Sequence, residues 1–235
     1  MRQALGAVGS EATGTGIHNR TVPSRNTDAS VGRQSRRARG HASREKIAAA
    51  AAKLIARHGI AGLRIEEVAA SAGVSTPLVY YHFADRSTLI SAAFEFASAR
   101  MPSAILKVAS DGRAGYDALE SALLGELDDR AAVRDYAVVW SEVTSHAAFD
   151  QSLRPAVRHI TNAWQATVEG AIRRGIADSS IRTDIDPSET AAVLILLVDA
   201  LCSRWIAGSI ELARARELLG RELSRLRSAA AAQAR

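Results

Sequence analysis

The chain has 235 residues, of which 47% are hydrophobic and only 5% aromatic, and its formal net charge is +5. Its many alanines and its apolar residues at helical spacing favour an all-α protein, and the absence of any apolar run of about 18 residues excludes a transmembrane helix. There is no apolar core suited to a secretory signal, and the single cysteine, Cys202, excludes an internal disulfide framework, so we expect a cytoplasmic protein.

The positive charge is concentrated in residues 1–42. Seven arginines and two acids lie there, so this segment alone carries the whole net charge. Its polar composition has no apolar period and predicts a disordered basic arm. We expect this arm either to follow a DNA backbone or only to keep the protein soluble.

A helix-turn-helix motif is predicted at residues 64–83, within a DNA-binding unit that spans residues 43–101. A preceding helix begins at the capping residue Ser43. The first helix of the motif repeats apolar residues at i, i+3, i+4 and i+7, and Gly73 follows where a positive φ is favoured. The second helix begins at a Ser or Thr cap, with Pro77 in its first turn. A helix, a glycine-containing turn and a capped second helix are typical of this DNA-binding motif.

The second helix of the motif, called the reader helix below, has two different sides. Val79 and Phe83 lie four residues apart and are expected to pack inward. The opposite side carries phenols, an imidazole, a hydroxyl and apolar groups, which could read base edges in a major groove. The residues of this outer side are Thr76, Pro77, Leu78, Tyr80, Tyr81 and His82.

The segment from residue 73 to residue 89 reads Gly-Val-Ser-Thr-Pro-Leu-Val-Tyr-Tyr-His-Phe-Ala-Asp-Arg-Ser-Thr-Leu. It resembles the recognition segment of the tetracycline-repressor (TetR) family, in which an aromatic cluster ends in Phe and is followed by a basic residue and a Leu. Here these residues are Phe83, Arg86 and Leu89. The resemblance implies a helix-turn-helix domain followed by a helical bundle for effector binding and dimerisation. It also implies a dimeric repressor that a small molecule releases from a palindromic operator, with no cofactor.

Three arginines are the predicted phosphate contacts. Arg44 lies at the start of the first helix, which in the family can approach phosphate. Arg86 stands where the family usually has a lysine that meets a phosphate, and we expect it to position the reader helix without specifying sequence. Arg64 stands where many members have a threonine that caps the helix and bonds phosphate. Whether Arg64 supplies a contact of its own is left open.

Residues 102–235 are predicted to form the second domain, and Pro102 is expected to end or kink the helix before it. Two helices, over residues 187–206 and 211–227, are predicted to form the homodimer interface. The first is capped by Asp186 and is apolar on nearly every face, so that a second subunit is needed to cover part of it. The resemblance implies the same interface, because these two helices form a four-helix contact in the family.

The effector is expected among the helices between the reader helix and the dimer interface. The candidate lining residues are Tyr136, Trp140, Trp164, Cys202 and Trp205. Plain core packing is an open alternative for each, because large aromatic residues dominate cores. The segment 101–150 holds nine acids and four basic residues, and acids beside aromatics would suit a cationic ligand. A solvated acidic face explains the same count and is the preferred interpretation. The segment around Trp140-Ser141-Glu142 and the later stretch from Asp186-Pro187 to Asp199-Ala200-Leu201 also resemble the subgroup that contains the choline-responsive betaine regulator.

Three other functions can be weighed from the sequence. An enzyme is disfavoured, because there is no nucleophile elbow, no phosphate-binding glycine loop and no metal-ligand spacing among the six histidines. A redox-responsive regulator acting through Cys202 stays open, although a cysteine within an apolar run is usually a buried hydrophobe. A non-specific DNA-binding protein also stays open, although it would need neither the polar outer side of the reader helix nor the large second domain.

Overall fold

The computed structural model describes residues 25–100 and 114–228, with side chains described from residue 40 onward. In these ranges the protein is all-α, as predicted, and its only bridge of strand type joins Ile181 to Arg227. The helices are α1 (Arg25–His58), α2 (Ile65–Ala72), α3 (Thr76–His82), α4 (Arg86–Ser98), α5 (Gly115–Leu124), α6 (Ala131–His146), α7 (Arg154–Ala177), α8 (Pro187–Ile206) and α9 (Leu212–Ser224), with a 3₁₀ turn at Gln151–Leu153.

Helix α1 begins at Arg25, well before the predicted start at Ser43, so the prediction of a disordered arm is wrong from Arg25 onward. Extending an existing helix costs far less than nucleating one, and arginine and alanine, which are frequent in this stretch, favour helix. The lack of an apolar face therefore did not mean the lack of a helix. Residues 1–24, the arginine side chains of the arm and Pro102 lie outside the described part of the chain.

The first core is shared between helices α1 to α4 and helix α6. Helix α1 supplies a buried side chain at every fourth position, and α4 packs against both α6 and the 3₁₀ turn. The unit that contains the helix-turn-helix motif is therefore packed directly on the second half of the chain. The large side chains of this core include Ile47, Ile55, Phe83, Leu89 and Phe94, joined by Val139 and Val143 of α6.

The second core joins α5, α7, α8 and α9. Helices α5 and α7 come into close contact at Gly115, where a Cβ would collide with the backbone N of Gly175. Helix α8 begins as predicted, because a carboxylate oxygen of Asp186 accepts a hydrogen bond from the backbone N–H of Glu189 at 2.8 Å. The core is lined mainly by Leu119, Leu123, Val168, Ile172, Val198 and Leu219.

Candidate nucleic-acid interface and effector cavity

The turn of the helix-turn-helix motif forms as the sequence predicts. Gly73 ends α2 with φ of 67°, a left-handed conformation that glycine adopts without strain. The N–H of Val74 then bonds the carbonyl of Ala69 at 3.0 Å. Ser75 occupies the N-cap of the reader helix α3 without a side-chain capping bond, and Pro77 lies in the first turn. The backbone alone thus sets the angle at which α3 leaves the turn.

The two sides of the reader helix are also as predicted. Val79 and Phe83 are buried in the first core. Tyr81 is 81% exposed and Tyr80 57%, and the ring of Tyr81 meets that of His82 edge-on, with centroids 5.2 Å apart. The remaining outer residues, Thr76, Pro77 and Leu78, are half-buried or exposed.

Two of the three arginines, Arg44 and Arg64, are exposed and make only weak contacts with neighbouring side chains. The guanidinium of Arg44 lies 4.9 Å from the ring centroid of Phe83, a cation–π contact at the end of the reader helix. Arg64 is exposed and lies 3.9 Å from Glu67, too far for a strong ion pair. It provides no side-chain cap for α2. Both side chains therefore lie on the surface of the predicted DNA-binding unit of residues 43–101, called the reading unit below.

Arg86 has a role that the sequence did not predict. Its guanidinium donates hydrogen bonds to the backbone carbonyls of Ile60 and, at 3.3 Å, of Leu63. Asp85 caps the same helix as predicted, accepting from the N–H of Thr88 at 2.7 Å. Arg86 therefore holds the connection between α1 and α2. Its contact with phosphate stays a prediction, which its exposed position and its further N–H groups allow.

Glu142 of α6 holds the same connection from the other half of the chain. The N–H of Ile60 donates to its carboxylate at 2.7 Å. The neighbouring Gly59 has φ of 69°, and a Cβ there would lie 3.0 Å from the same carboxylate. A second link joins the hydroxyl of Ser87 to the carboxylate of Asp150 at 2.6 Å. Sequence reasoning missed both acids, because their partners lie far away in the chain.

A cavity of about 490 Å³ lies between α4, α6 and α7. A narrow second cavity of about 20 Å³ shares three of its wall residues and reaches α8. Among the predicted effector residues, Tyr136 and Trp164 line both cavities, whereas Trp140 and Cys202 line the narrow one. The described residues around the large cavity are Glu95, Ser98, Ala99, Glu126, Tyr136, His159, Ile160, Ala163, Trp164 and Thr167.

Trp205 lines neither cavity, and its role in effector binding stays a prediction. It is buried in the second core, and the guanidinium of Arg134 lies 5.6 Å from its ring centroid. Helical periodicity identified its inward direction. The periodicity could not tell which neighbouring helix covers it.

Two carboxyl groups that sequence reasoning did not select line the cavities. Burial raises the pKa of Glu126 to about 8, and the charge of Asp199 adds to this effect. Burial also raises the pKa of Asp199, to about 6. The preferred interpretation of the acid-rich segment as a solvated face is therefore wrong for Glu126, although it holds for the exposed Asp129 and Asp135. The excess of acids over bases was the signal that could have found Glu126.

The walls also carry the thiol of Cys202, the phenol of Tyr136 and the hydroxyl of Ser98. Burial raises the pKa of the Cys202 thiol, with Glu126 and Asp199 adding to the effect, and the thiol donates to the carbonyl of Glu126 at 3.5 Å. A protonated, buried thiol is a poor redox sensor. Burial likewise raises the pKa of the Tyr136 phenol. The hydroxyl of Ser98 is buried and makes no hydrogen bond of normal geometry within the described residues.

Among the described residues, no helix is both long and apolar enough to cross a membrane. In the same ranges, no three His, Cys, Asp or Glu side chains come together as metal ligands. The exposed second helix of a glycine-linked pair, backed by a helical bundle with a cavity, defines a helix-turn-helix DNA-binding protein.

Comparisons with known proteins identify the family. The model of tetR-family bacterial regulatory proteins matches residues 47–93, and that of the C-terminal region of BetI-type transcriptional repressors matches residues 116–228. A TetR-family transcriptional regulator from Rhodococcus sp. is 34% identical, with a TM-score of 0.73 over 79% of this chain and 98% of its own. The chain therefore belongs to the TetR family of DNA-binding transcriptional regulators.

Two more distant structures share the fold. A transcriptional regulator from Saccharomonospora viridis, solved in complex with choline, is 24% identical, with a TM-score of 0.67 over 78% of this chain and 96% of its own. A TetR regulator from Haloarcula marismortui is 22% identical, with a TM-score of 0.69 over 80% of this chain and 100% of its own. Members of this family are transcriptional regulators and are generally not enzymes.

Proposed function

We propose that the protein is a dimeric repressor that binds a palindromic operator through paired reader helices and is released by a small organic cation. The observation that carries this proposal is the combination of an exposed reader helix with an aromatic, acid-lined cavity in one packed chain. An exposed reader helix and a ligand-sized cavity are each typical of a ligand-controlled DNA-binding protein. Helix α6 lines the cavity and also packs in the core that supports the reader helix.

The reader helix reads bases and the arginines bind phosphates. Tyr81, which is 81% exposed, reads base edges in the major groove, with Tyr80 and His82 beside it. Arg44 and Arg64 bind the backbone at either end of the reading unit, and Arg86 adds a third phosphate contact. The outer residues Thr76, Pro77 and Leu78 complete the reading surface.

Dimerisation through α8 and α9 places two reader helices on one operator. On α8, Val193 is 64% exposed and Leu196 68%, and the exposed Ala200 continues the stripe one turn later. Large apolar side chains exposed along one helix face support burial against a second copy. A two-fold dimer then reads two half-sites about one DNA turn apart, roughly 34 Å, or a multiple of that spacing.

The effector is an organic cation of choline-like size. Three aromatic rings, those of Tyr136, Trp140 and Trp164, surround the cavities together with the carboxyl groups of Glu126 and Asp199. Aromatic faces and nearby carboxylates both attract a quaternary or protonated amine. The choline complex of the Saccharomonospora viridis regulator supports this ligand class for the shared fold.

Helix α6 transmits the effector signal to the reading unit. Trp140 lines the narrow cavity, and the centroid of its ring lies 5.3 Å from the ring centroid of Phe94 on α4. Glu142, two residues further along α6, holds the connection before α2. A ligand that shifts α6 therefore moves Glu142 and the connection that it holds, and so changes the separation of the two reader helices. This is a coupling of two sites through one rigid element.

The alternative of a redox-responsive regulator has no support from the buried, protonated thiol of Cys202. The alternative of a non-specific DNA-binding protein is tested directly by selecting bound fragments from a random DNA pool with the full chain. We expect a palindrome with half-sites one turn or a multiple apart, preferred over random DNA by a factor of roughly 1,000 or more. Selection of fragments that share no sequence would contradict sequence-specific DNA binding.

Effector release is tested separately. Choline and tetramethylammonium, added to the complex with the selected operator, are expected to release it. The neutral choline analogue 3,3-dimethylbutanol has the same shape and serves as the control. Release by the neutral analogue alone would contradict a cationic effector while leaving DNA recognition intact.

A further inference from the structure

Glu126 has an unusual position among the acids of the described chain. It lies between α5 and α6, and its side chain lines both the large and the narrow cavity. Two arginines close to this connection have other partners. Arg130 pairs with Asp128, and Arg216 donates to the backbone carbonyls of Leu124 and Leu127. Within the described residues the carboxyl of Glu126 has neither a hydrogen bond nor an ion pair.

Among the described residues, the groups that share the cavity walls with Glu126 include no lysine or arginine. Helix α8 contributes Asp199 and Cys202, α6 contributes Tyr136, and α4 contributes Glu95. Helix α7 contributes His159, which lines only the large cavity. An ionised Glu126 would therefore stand beside a second carboxylate in a poorly solvated space, which is strongly unfavourable.

A cation in the cavity reverses this balance. A positive charge near Glu126 supplies the missing partner, and the faces of the surrounding aromatic rings attract the same charge. The carboxyl then gains by ionising. We propose that Glu126 is the specificity-determining residue of the effector cavity, and that it takes up an organic cation in exchange for a proton.

The exchange is balanced and needs no other reactant. The O–H bond of the Glu126 carboxyl breaks, its electron pair stays on the carboxylate, and the proton passes to the solvent. The cation enters without forming a covalent bond, so the net charge of the site does not change. This inference rests on the proposed cationic effector, but the cation could bind without such an exchange.

The exchange makes effector binding depend on pH in a defined direction. Since the pKa of Glu126 is raised to about 8 in the empty cavity, the proton must be removed at neutral pH. The apparent affinity for a permanent cation should rise about tenfold for each pH unit up to about pH 8 and level off above it. An exchange at Asp199 instead would level off near pH 6, the value to which burial raises its pKa.

Calorimetry of choline binding tests the proposal. Titrations of the full chain at about pH 7, in two buffers with different ionisation enthalpies, should show release of nearly one proton per choline. Glu126→Gln should abolish this release, flatten the pH profile and weaken choline binding at least about tenfold. Glu95→Gln, which removes a second acid from the same wall, should leave proton release in place. Binding of 3,3-dimethylbutanol should release no proton.

The outcomes separate this proposal from the proposed function. Choline binding without proton release, or with a profile that levels off near pH 6, would overturn the role of Glu126 and leave the cationic effector standing. No binding of choline or tetramethylammonium at any pH from about 6 to 9 would overturn both, but not DNA recognition. If Glu126→Gln failed to fold, the unchanged chain would still test the proposal, because it should release a proton on binding choline and none on binding 3,3-dimethylbutanol.

Discussion

Replacing Glu142 with alanine should destabilise the reading unit and weaken operator binding. The change removes the acceptor that holds the N–H of Ile60 at 2.7 Å, and Ile60 is only 2% exposed. A buried donor left without a partner costs about 1–3 kcal/mol. In a chain of this size that corresponds to a fall in Tm of roughly 2–10 °C. If the connection must be ordered for binding, a similar free energy weakens the operator complex by roughly 5- to 150-fold.

Two control variants make this prediction specific. Glu142→Gln keeps an oxygen that can accept from Ile60 and should recover most of the Tm and affinity. Asp135→Ala removes an exposed carboxylate from the same helix and should change little. Thermal melting followed by circular dichroism, with fluorescence anisotropy on a labelled operator, measures both quantities. A Glu142→Ala protein with unchanged Tm and unchanged affinity would refute the role of this hydrogen bond.

Four further predictions concern the other sites. Tyr81→Ala should relax sequence preference as well as weaken binding, and a selection experiment that returned the same operator would place the reading surface elsewhere. Arg86→Ala should weaken binding to all sequences alike and lower the salt slope by about one, and should also lower Tm because two backbone carbonyls lose their donor. Leu196→Glu should yield monomers in analytical ultracentrifugation, whereas a dimer that persisted would exclude α8 from the interface. Glu126→Gln should raise Tm at about pH 8 but not at about pH 4. A carboxyl whose pKa is raised in the folded protein costs no stability below its unfolded pKa, and the cost grows as the pH rises through the folded pKa. Equal shifts in Tm at the two pH values would contradict the burial of Glu126.

Local features of the fold were predictable because they depend on neighbouring residues. Asp85 and Asp186 each precede a backbone N–H three residues later, and both form the predicted capping bonds. Gly73 takes the positive φ that the end of α2 requires. The inner side of the reader helix follows from the four-residue spacing of Val79 and Phe83. In each case the partner lies within one helical turn.

Features that depend on distant partners could not be predicted from spacing. Trp205 was expected at the effector site because it is aromatic and faces inward, yet it packs in the second core. The start of α1 was misplaced for a different reason: a polar, arginine-rich stretch has no apolar face, but arginine still favours helix. Apolar periodicity reports what is buried. It is a poorer guide to where a helix begins.

Glu126 and Glu142 show that the role of an acid depends on partners that are distant in the sequence. They are the same residue type, sixteen positions apart in one acid-rich stretch, and nothing nearby in the sequence distinguishes them. Glu142 meets a backbone N–H that is fixed by the turn at Gly59, so its charge is satisfied and its contribution is structural. Glu126 faces a cavity and another acid, so an ionised Glu126 would have no cationic partner among the described wall residues, and under the proposed exchange it ionises only when a cation binds. The first residue can therefore transmit a change in α6, whereas only the second can respond to the charge of a ligand.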